Sequence, residues 1–238
     1  MVRAFVGDST ITRLFGIDAQ LTPVGRAMSI SVVVSPALVT VATVSKYIAL
    51  EGVDGSGKST VARALVERLT SSGAEAILVR EPGGTALGEV VRGLLLDSER
   101  LDDWAEVFLF AAQRSELARE VVLPALERGT WVVSDRSYYS SIAYQGRGRG
   151  LGEDKVRAIN EIGLDGVVPH HVFVLDVEPD LALARQEDPD RIGKEGVDFQ
   201  SAVRASYQSL AATEDKVVLL DGSLSADEMA SKILEMVI

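Results

Sequence analysis

The chain has 238 residues, enough for one α/β domain of good size or two small ones. Its net charge of −11 argues against a general nucleic-acid binder, which carries a basic face, and leaves only local basic loops for a small phosphate compound. There is no cysteine, so disulfides and thiolate metal sites are excluded. The two histidines, His170 and His171, stand together at the start of an apolar run with no ligand cluster around them, and they read as strand-edge residues.

Residues 1–46 contain no Glu and carry Arg3, Arg13, Arg26 and Lys46 against Asp8 and Asp18, so the acidity of the chain lies downstream. From Ala27 to Ser45 there is no charge. Ser29, Ser31, Ser35, Pro36, Thr40, Thr43 and Ser45 interrupt the apolar residues, and the stretch falls short of the ~20 predominantly apolar residues of a membrane span. It lies too far from the terminus for a secretory signal; an organelle presequence is the weaker alternative for an arm that is Ser/Thr-rich and acid-poor. The expectation is an N-terminal arm over 1–45 that is poorly ordered or precedes the true start, at Met28 or Val44, and a single domain over 46–238.

Tyr47–Leu50 reads as a buried strand and Val61–Leu69 as an amphipathic helix. Between them, Glu51-Gly52-Val53-Asp54-Gly55-Ser56-Gly57-Lys58-Ser59-Thr60 fits G-x-x-x-x-G-K-[ST], the phosphate-binding loop, in the strand-then-helix context that the motif requires. The glycines let backbone N–H groups curl round phosphate oxygens at the positive end of the following helix. Lys58 neutralises the β- and γ-phosphates, and the Ser59 hydroxyl is a ligand for Mg²⁺. The loop establishes nucleotide phosphate binding and leaves its purpose open.

Ala76–Arg80 is a second strand, ending in the turn Arg80-Glu81-Pro82-Gly83-Gly84-Thr85. Helices are expected over Leu87–Leu96 and Asp102–Glu120, with Pro124 kinking or restarting the second. Trp131–Ser134 is a third strand, followed at once by Asp135-Arg136. A helix opens over Ser140–Gln145, and Gly146-Arg147-Gly148-Arg149-Gly150 reads as a flexible basic loop. Asp154–Ile162 is helical and His171–Val177 is the fourth strand. A helix from Leu181 runs into the charged stretch Gln186–Glu195. Phe199–Leu210 is helical, Val217–Leu220 is the fifth strand, and Ala226–Val237 closes the chain as a helix. Strands alternating with helices imply a five-stranded parallel sheet with helices on both faces, and ligands at the carboxyl ends of its strands.

The loop, Arg80-Glu-Pro-Gly-Gly-Thr85, Leu109-Phe-Ala-Ala-Gln-Arg114, Pro124-Ala-Leu126 and Asp135-Arg-Ser-Tyr-Tyr-Ser-Ser-Ile-Ala-Tyr-Gln145 together resemble thymidylate kinase of the bacterial kind, from about Lys46 to the C-terminus. The resemblance implies a three-layer P-loop kinase fold with a lid at about 186–195, and the reaction ATP + dTMP → ADP + dTDP with Mg²⁺. It implies that ATP is held by Gly52 through Thr60, that Phe110 stacks on thymine, and that Arg114 bonds a thymine carbonyl. Phe110 and Arg114 are four apart and share a helix face, whereas Phe108 points elsewhere and is expected in the core. Core packing is the competing reading of Phe110.

By the same resemblance Arg136 clamps the acceptor phosphate, a role that suits a guanidinium fork, and Asp135 contacts Mg²⁺ through water alongside Ser59. A surface ion pair is the alternative for these two. Asp54 holds the sugar 3′-hydroxyl, Tyr144 crowds the 2′ position, Ser141 faces the base edge, and Glu81, Pro82 and Gln145 complete the substrate site, with Arg92 either adding a contact to the acceptor phosphate or standing as a solvated helix charge. One branch of the family has an arginine in the phosphate loop where this chain has Gly55, so the transfer cation is expected from the lid: Arg185 or Arg191, with Lys194 as a third candidate. The nearby Glu187, Asp188, Asp190 and Glu195 leave a solvated loop as the other reading. The family often has Asp-Arg-Ile-Glu in the lid, and this chain has Asp190-Arg191-Ile192-Gly193. A cytoplasmic homodimer with no nucleic-acid or membrane partner is implied. Another nucleoside monophosphate or deoxynucleoside kinase is the nearest rival. A nucleotide-dependent switch is the more distant one, and the Asn-Lys-x-Asp guanine motif is missing.

Overall fold

The computed structural model describes residues 18–24, 27–33, 46–186 and 190–238. The chain divides into two compact units, residues 1–43 and 44–238. In the first, β1 (Asp18–Val24) pairs antiparallel with β2 (Ala27–Val33). The expectations for the arm otherwise fall outside the described residues.

The second unit is built on a five-stranded sheet of β3 (Tyr47–Glu51), β4 (Ala76–Arg80), β5 (Trp131–Asp135), β6 (His171–Asp176) and β7 (Val217–Asp221). The strand order is β4-β5-β3-β6-β7 and every pairing is parallel. β3 lies in the centre and is buried along its whole length, which is why it reads as an unbroken apolar run. Its side chains alternate between two cores. Ile48 and Leu50 join Val61, Leu65 and Leu69 of α1 (Lys58–Ser71) and Met229 and Ile233 of α9 (Ala226–Val237). Tyr47 and Ala49 face the opposite core, with Leu95, Phe110, Leu117, Tyr139, Val203 and Tyr207. Those residues come from α2 (Ala86–Asp97), α3 (Asp103–Leu117), α5 (Tyr138–Ser141) and α8 (Val197–Thr213). The result is the expected three-layer arrangement. Truncating a fully buried residue such as Leu65 to Ala costs about 2–5 kcal/mol.

Helix starts follow local chemistry. Thr85 caps α2 by accepting from the Gly88 N–H, Asp102 caps α3 through Trp104 and Ala105, and Ser225 with Glu228 forms a full capping box on α9. α1 differs. Gly57, at φ 96°, precedes it with no side-chain cap, which leaves its first N–H groups to a bound anion. After α3 the chain widens into a π-helical turn, Ala118–Val122, before Pro124 restarts α4 (Leu123–Glu127). The remaining elements are α6 (Glu153–Leu164), α7 (Pro179–Leu183) and a 3₁₀ turn at Gly193–Glu195. Among the described residues, no helix is long and apolar enough to cross a membrane.

Three expectations need correction. Gly146–Gly150 is not a flexible loop: Ile142–Gly148 is a π-helical stretch continuing α5. Its glycines serve close packing, since a Cβ on Gly146 would lie 2.9 Å from Glu153 Cα and one on Gly148 2.6 Å from the Phe199 ring. The helix expected from Leu181 onward is α7, which begins at Pro179 and ends at Leu183 rather than running into the charged stretch; residues 187–189 of that stretch lie outside the described residues. Phe108 is not a core residue but 57% exposed, with its ring beside that of Trp104 one turn earlier. Residues two apart on a helix point to nearly opposite sides, and here Phe110 takes the inner one.

Candidate active site

The phosphate loop turns through Gly52, Gly55 and Gly57, all at positive φ. Lys58 is buried, and its Nζ donates to the carbonyls of Gly52 (3.1 Å) and Val53 (2.8 Å) and to Ser56 Oγ (3.3 Å). Burial and the nearby Arg136 push the Lys58 pKa down to about 8, with Asp54 and Asp135 pulling the other way. Gly55 backs onto α7: a Cβ there would sit 2.0 Å from the Ala182 carbonyl oxygen. The Ser59 hydroxyl donates to the Asp135 carboxylate, so the side chains expected at the metal are in contact. A hydroxyl and a carboxylate are hard oxygen donors of the kind Mg²⁺ takes, with phosphate oxygens and water filling the other positions. Gly55, Gly57, Lys58, Ser59, Thr60, Asp135 and the exposed Arg185 line one cleft.

A second cleft lies between the turn after β4, α3 and α5 with its π-helical continuation. Glu81, Pro82, Arg92, Phe110, Arg136, Ser141, Tyr144 and Gln145 line it. Asp54, Glu81, Arg92 and Arg136 border both clefts, so the two meet there. Phe110 is 8% exposed with its ring on the cleft, where a base could stack. The Arg114 guanidinium lies 6.0 Å from that ring centroid and is buried. It donates to Glu81 (Nε to Oε2), Ser141 Oγ (3.1 Å), Asn160 and the Ser137 carbonyl (3.2 Å). Burial pushes the Glu81 carboxyl up, and Arg114 opposes this. Arg92 Nη1 donates to the Pro82 carbonyl at 2.8 Å, which turns it towards the junction.

Arg136 stands at the junction. Its Nη2 is paired with Asp54 and lies 3.4 Å from the Tyr144 hydroxyl, and its Nη1 donates to Ser140 Oγ at 3.2 Å. The guanidinium carbon is 5.1 Å from the Tyr144 ring centroid. Burial works against this charge, yet Tyr144, Asp54 and Asp135 hold the Arg136 pKa well above the ordinary arginine value. Burial would likewise raise Asp54, but Arg136 and Lys58 outweigh it and hold the carboxyl below its usual range.

The two lid arginines part company. Arg185 faces the phosphate cleft. Arg191 turns away from both clefts, with Nε and Nη2 on the Leu95 carbonyl (3.1 and 3.0 Å) and Nη2 on Glu106 Oε2 (2.6 Å). Glu106 is fully buried and also accepts from Gln145 Nε2 (2.7 Å) and from Arg149. Arg149 in turn pairs with Glu195. Where the family pattern departs at Gly193, Asp190 Oδ1 closes the turn by accepting from the N–H groups of Ile192 and Gly193, both at 2.9 Å. Sequence reasoning missed Glu51, Glu106, Asn160, Gln200 and Tyr207. Their partners lie tens of residues away, and Gln200 reaches Asp54 from α8 at 3.3 Å.

The family described as Thymidylate kinase matches residues 50–233. A thymidylate kinase of Thermosipho melanesiensis is 42% identical over 189 residues, covering 79% of this chain and 94% of that protein. Those of Halothermothrix orenii and of a Synechococcus species are 44% and 41% identical over 194 and 192 residues, covering 79% and 80% of this chain and 93% of each protein. The matched stretch contains both clefts and the junction between them, and at this identity over nearly the full length of the relatives the chain belongs to the thymidylate kinase family.

Proposed function

We propose that this chain carries out the family reaction, ATP + dTMP → ADP + dTDP, with the following division of labour among its residues. The observation that carries this reading is the junction at Asp54 and Arg136, where a phosphate-binding loop meets a cleft walled by a buried aromatic ring, with a buried arginine behind it holding Glu81 and Ser141 of that wall. ATP lies along Gly52–Thr60, with its β- and γ-phosphates drawing Lys58 off the loop carbonyls. Ser59 and Asp135 hold Mg²⁺, which neutralises phosphate charge when bound. Thymine stacks on Phe110, with Arg114 and Ser141 at its edge, and Glu81 and Gln145 keep that wall in place. Tyr144 fills the space beside the sugar 2′ carbon, Asp54 takes the 3′-hydroxyl, and Arg136 and Arg92 hold the acceptor phosphate opposite the γ-phosphate. Arg185 supplies the cation for the migrating group, since Gly55 offers none. Arg191, already paired with Glu106, anchors the segment that carries it.

A screen of nucleoside monophosphates with Mg-ATP tests the reading. The expected result is turnover of dTMP far above UMP, CMP, AMP and GMP. Preference for another monophosphate would move the chain to the rival kinase class, and nucleotide hydrolysis without any acceptor would favour a switch protein.

We further place the enzyme in the cytoplasm, where ATP is supplied, as a pair of identical chains. The dimer reading rests on exposed apolar residues carried by neighbouring helices: Leu87, Val90 and Leu94 on α2 and Phe108 on α3. Sedimentation should give twice the chain mass. We also propose that residues 46–238 suffice for the reaction, because the family match lies inside them. A chain starting at Ser45 should keep the activity and melting temperature of the whole.

A further inference from the structure

Glu51, the last residue of β3, is fully buried, and four neutral donors meet its carboxylate. Oε1 accepts from the Ser137 N–H and the Ser137 hydroxyl, each at 2.7 Å. Oε2 accepts from Ser140 Oγ at 2.6 Å and from the Tyr207 hydroxyl at 2.7 Å. A buried carboxylate is costly to keep unless it is fully bonded, and apolar or amide side chains fill such space at less cost.

Both oxygens act on Arg136. Its backbone has φ 75°, a left-handed conformation unusual for a residue with a side chain. Three bonds fix it there: its own N–H donates to the Leu50 carbonyl (3.0 Å), its carbonyl accepts from Ser134 Oγ (2.5 Å), and the next N–H, of Ser137, is the one held by Glu51. The other oxygen sets the direction of a hydroxyl. Both carboxylate oxygens accept from their neighbours, so the single Ser140 proton points at Glu51. A lone pair of that oxygen is then left facing Arg136 Nη1, which donates to it at 3.2 Å. The Tyr207 hydroxyl, 3.3 Å from Ser140 Oγ, has its own proton committed to Glu51 and does not compete for that role.

We infer that Glu51 is a positioning residue for acceptor-phosphate recognition: its carboxylate clamps the left-handed turn at Arg136 and turns the Ser140 hydroxyl so that it receives the Arg136 guanidinium. The inference rests on the reading of Arg136 as the phosphate clamp. Glu51→Gln keeps the volume but replaces one acceptor oxygen by an N–H₂ group. With the amide oxygen kept at Ser137, the amide nitrogen faces Ser140 and Tyr207, both hydroxyls must turn round, and a Ser140 proton points at the arginine.

The test is steady-state kinetics of the full chain with ATP and dTMP both varied, for wild type, E51Q, R136A and E51Q/R136A. E51Q should lower kcat/KM for dTMP by roughly tenfold to a hundredfold, the size of one hydrogen bond to a charged group, and change KM for ATP by less than about twofold. In the R136A background the same substitution should add less than about twofold. An equal loss in both backgrounds, or an equal loss towards ATP and dTMP, would overturn the inference and make Glu51 a packing residue. If R136A itself leaves dTMP kinetics intact, the reading of the junction fails instead. Should E51Q not fold, Ser140→Ala carries the same comparison, because it removes the acceptor from Arg136 and leaves Glu51 in place; additivity with R136A would again overturn the proposal.

Discussion

Behind the acceptor cleft the buried charges are already paired with one another. Arg114 and Glu81 meet with side chains 2% exposed, and Glu106 gathers Gln145, Arg149 and Arg191 in a fully buried place. In the phosphate cleft Lys58 rests on its own loop's carbonyls, Ser59 on Asp135, and Arg185 is exposed at the rim. On the proposed reading the first region is a finished surface whose shape does the selecting, preorganised before any ligand arrives. On the same reading the second holds its groups in contacts that phosphates and a metal ion would replace. Substitutions should therefore damage the two regions differently: loss of rate without loss of fold at the phosphate cleft, and loss of fold or of discrimination at the acceptor cleft.

The largest effect is expected from Lys58→Ala, which removes the cation on the β/γ-phosphates. Turnover should fall about 10³-fold or more while the far-UV spectrum and melting temperature stay close to wild type. A variant with near-normal turnover would erase the distinction. Next comes the split between the two arginines. Arg185→Ala should lower kcat by roughly 10²-fold with little change in KM for dTMP, because its contact strengthens as charge shifts in the transition state. Arg191→Ala should chiefly raise KM for dTMP, by roughly tenfold, because it leaves the Leu95 carbonyl and Glu106, which also holds Gln145 of the cleft wall, short of a partner. The reverse pattern would mean that the segment rearranges and that Arg191 reaches the phosphates.

Glu81→Ala tests the acceptor side by stability. It strands a buried guanidinium, which costs about 3–5 kcal/mol and lowers Tm by roughly 10 °C. A shift within 2–3 °C, on the order of a surface substitution, would show that Ser141, Asn160 and Ser137 suffice. The smallest effect is on sugar choice. Tyr144→Ala should improve kcat/KM for the ribose analogue of dTMP relative to dTMP by severalfold, and Tyr144→Phe should not, since it keeps the ring; steric rejection of an added hydroxyl reaches only about a hundredfold. An unchanged ratio in both would remove Tyr144 from discrimination.

Much of this arrangement was legible in the sequence because it is local. The phosphate loop is one continuous segment, the strands are short apolar runs, and the turn after β4 announces itself by Pro82, Gly83 and Gly84. What escaped has a common cause. Glu51 meets Tyr207 and Ser137 across 156 and 86 residues, and Arg114 meets Asn160 across 46, so nothing beside either residue marks the pairing. The glycines of Gly146–Gly150 signalled freedom to a reader of composition, yet Gly146 and Gly148 are there because neighbouring chain leaves no room for a Cβ. Phe108 and Phe110 are equally apolar, and only the surrounding helices decide which one is inside. The paired strands β1 and β2 had a usable signal, the alternation Ser29-Ile30-Ser31-Val32, which fits a period of two.

The closeness of Gly55 to the Ala182 carbonyl bears on how such an enzyme can change over generations. At φ 81°, and with a Cβ there falling 2.0 Å from main-chain oxygen, position 55 tolerates no side chain while α7 stays where it is. A lineage that moved its transfer cation from the lid into the loop by a single Gly→Arg substitution would collide with backbone, which no rotamer relieves. It would also still carry Arg185, so the intermediate would hold two cations and a displaced helix. The loop and the helix behind it can therefore be exchanged only together, as one heritable unit, and a chimera that swaps the loop alone should fail where one that swaps both succeeds.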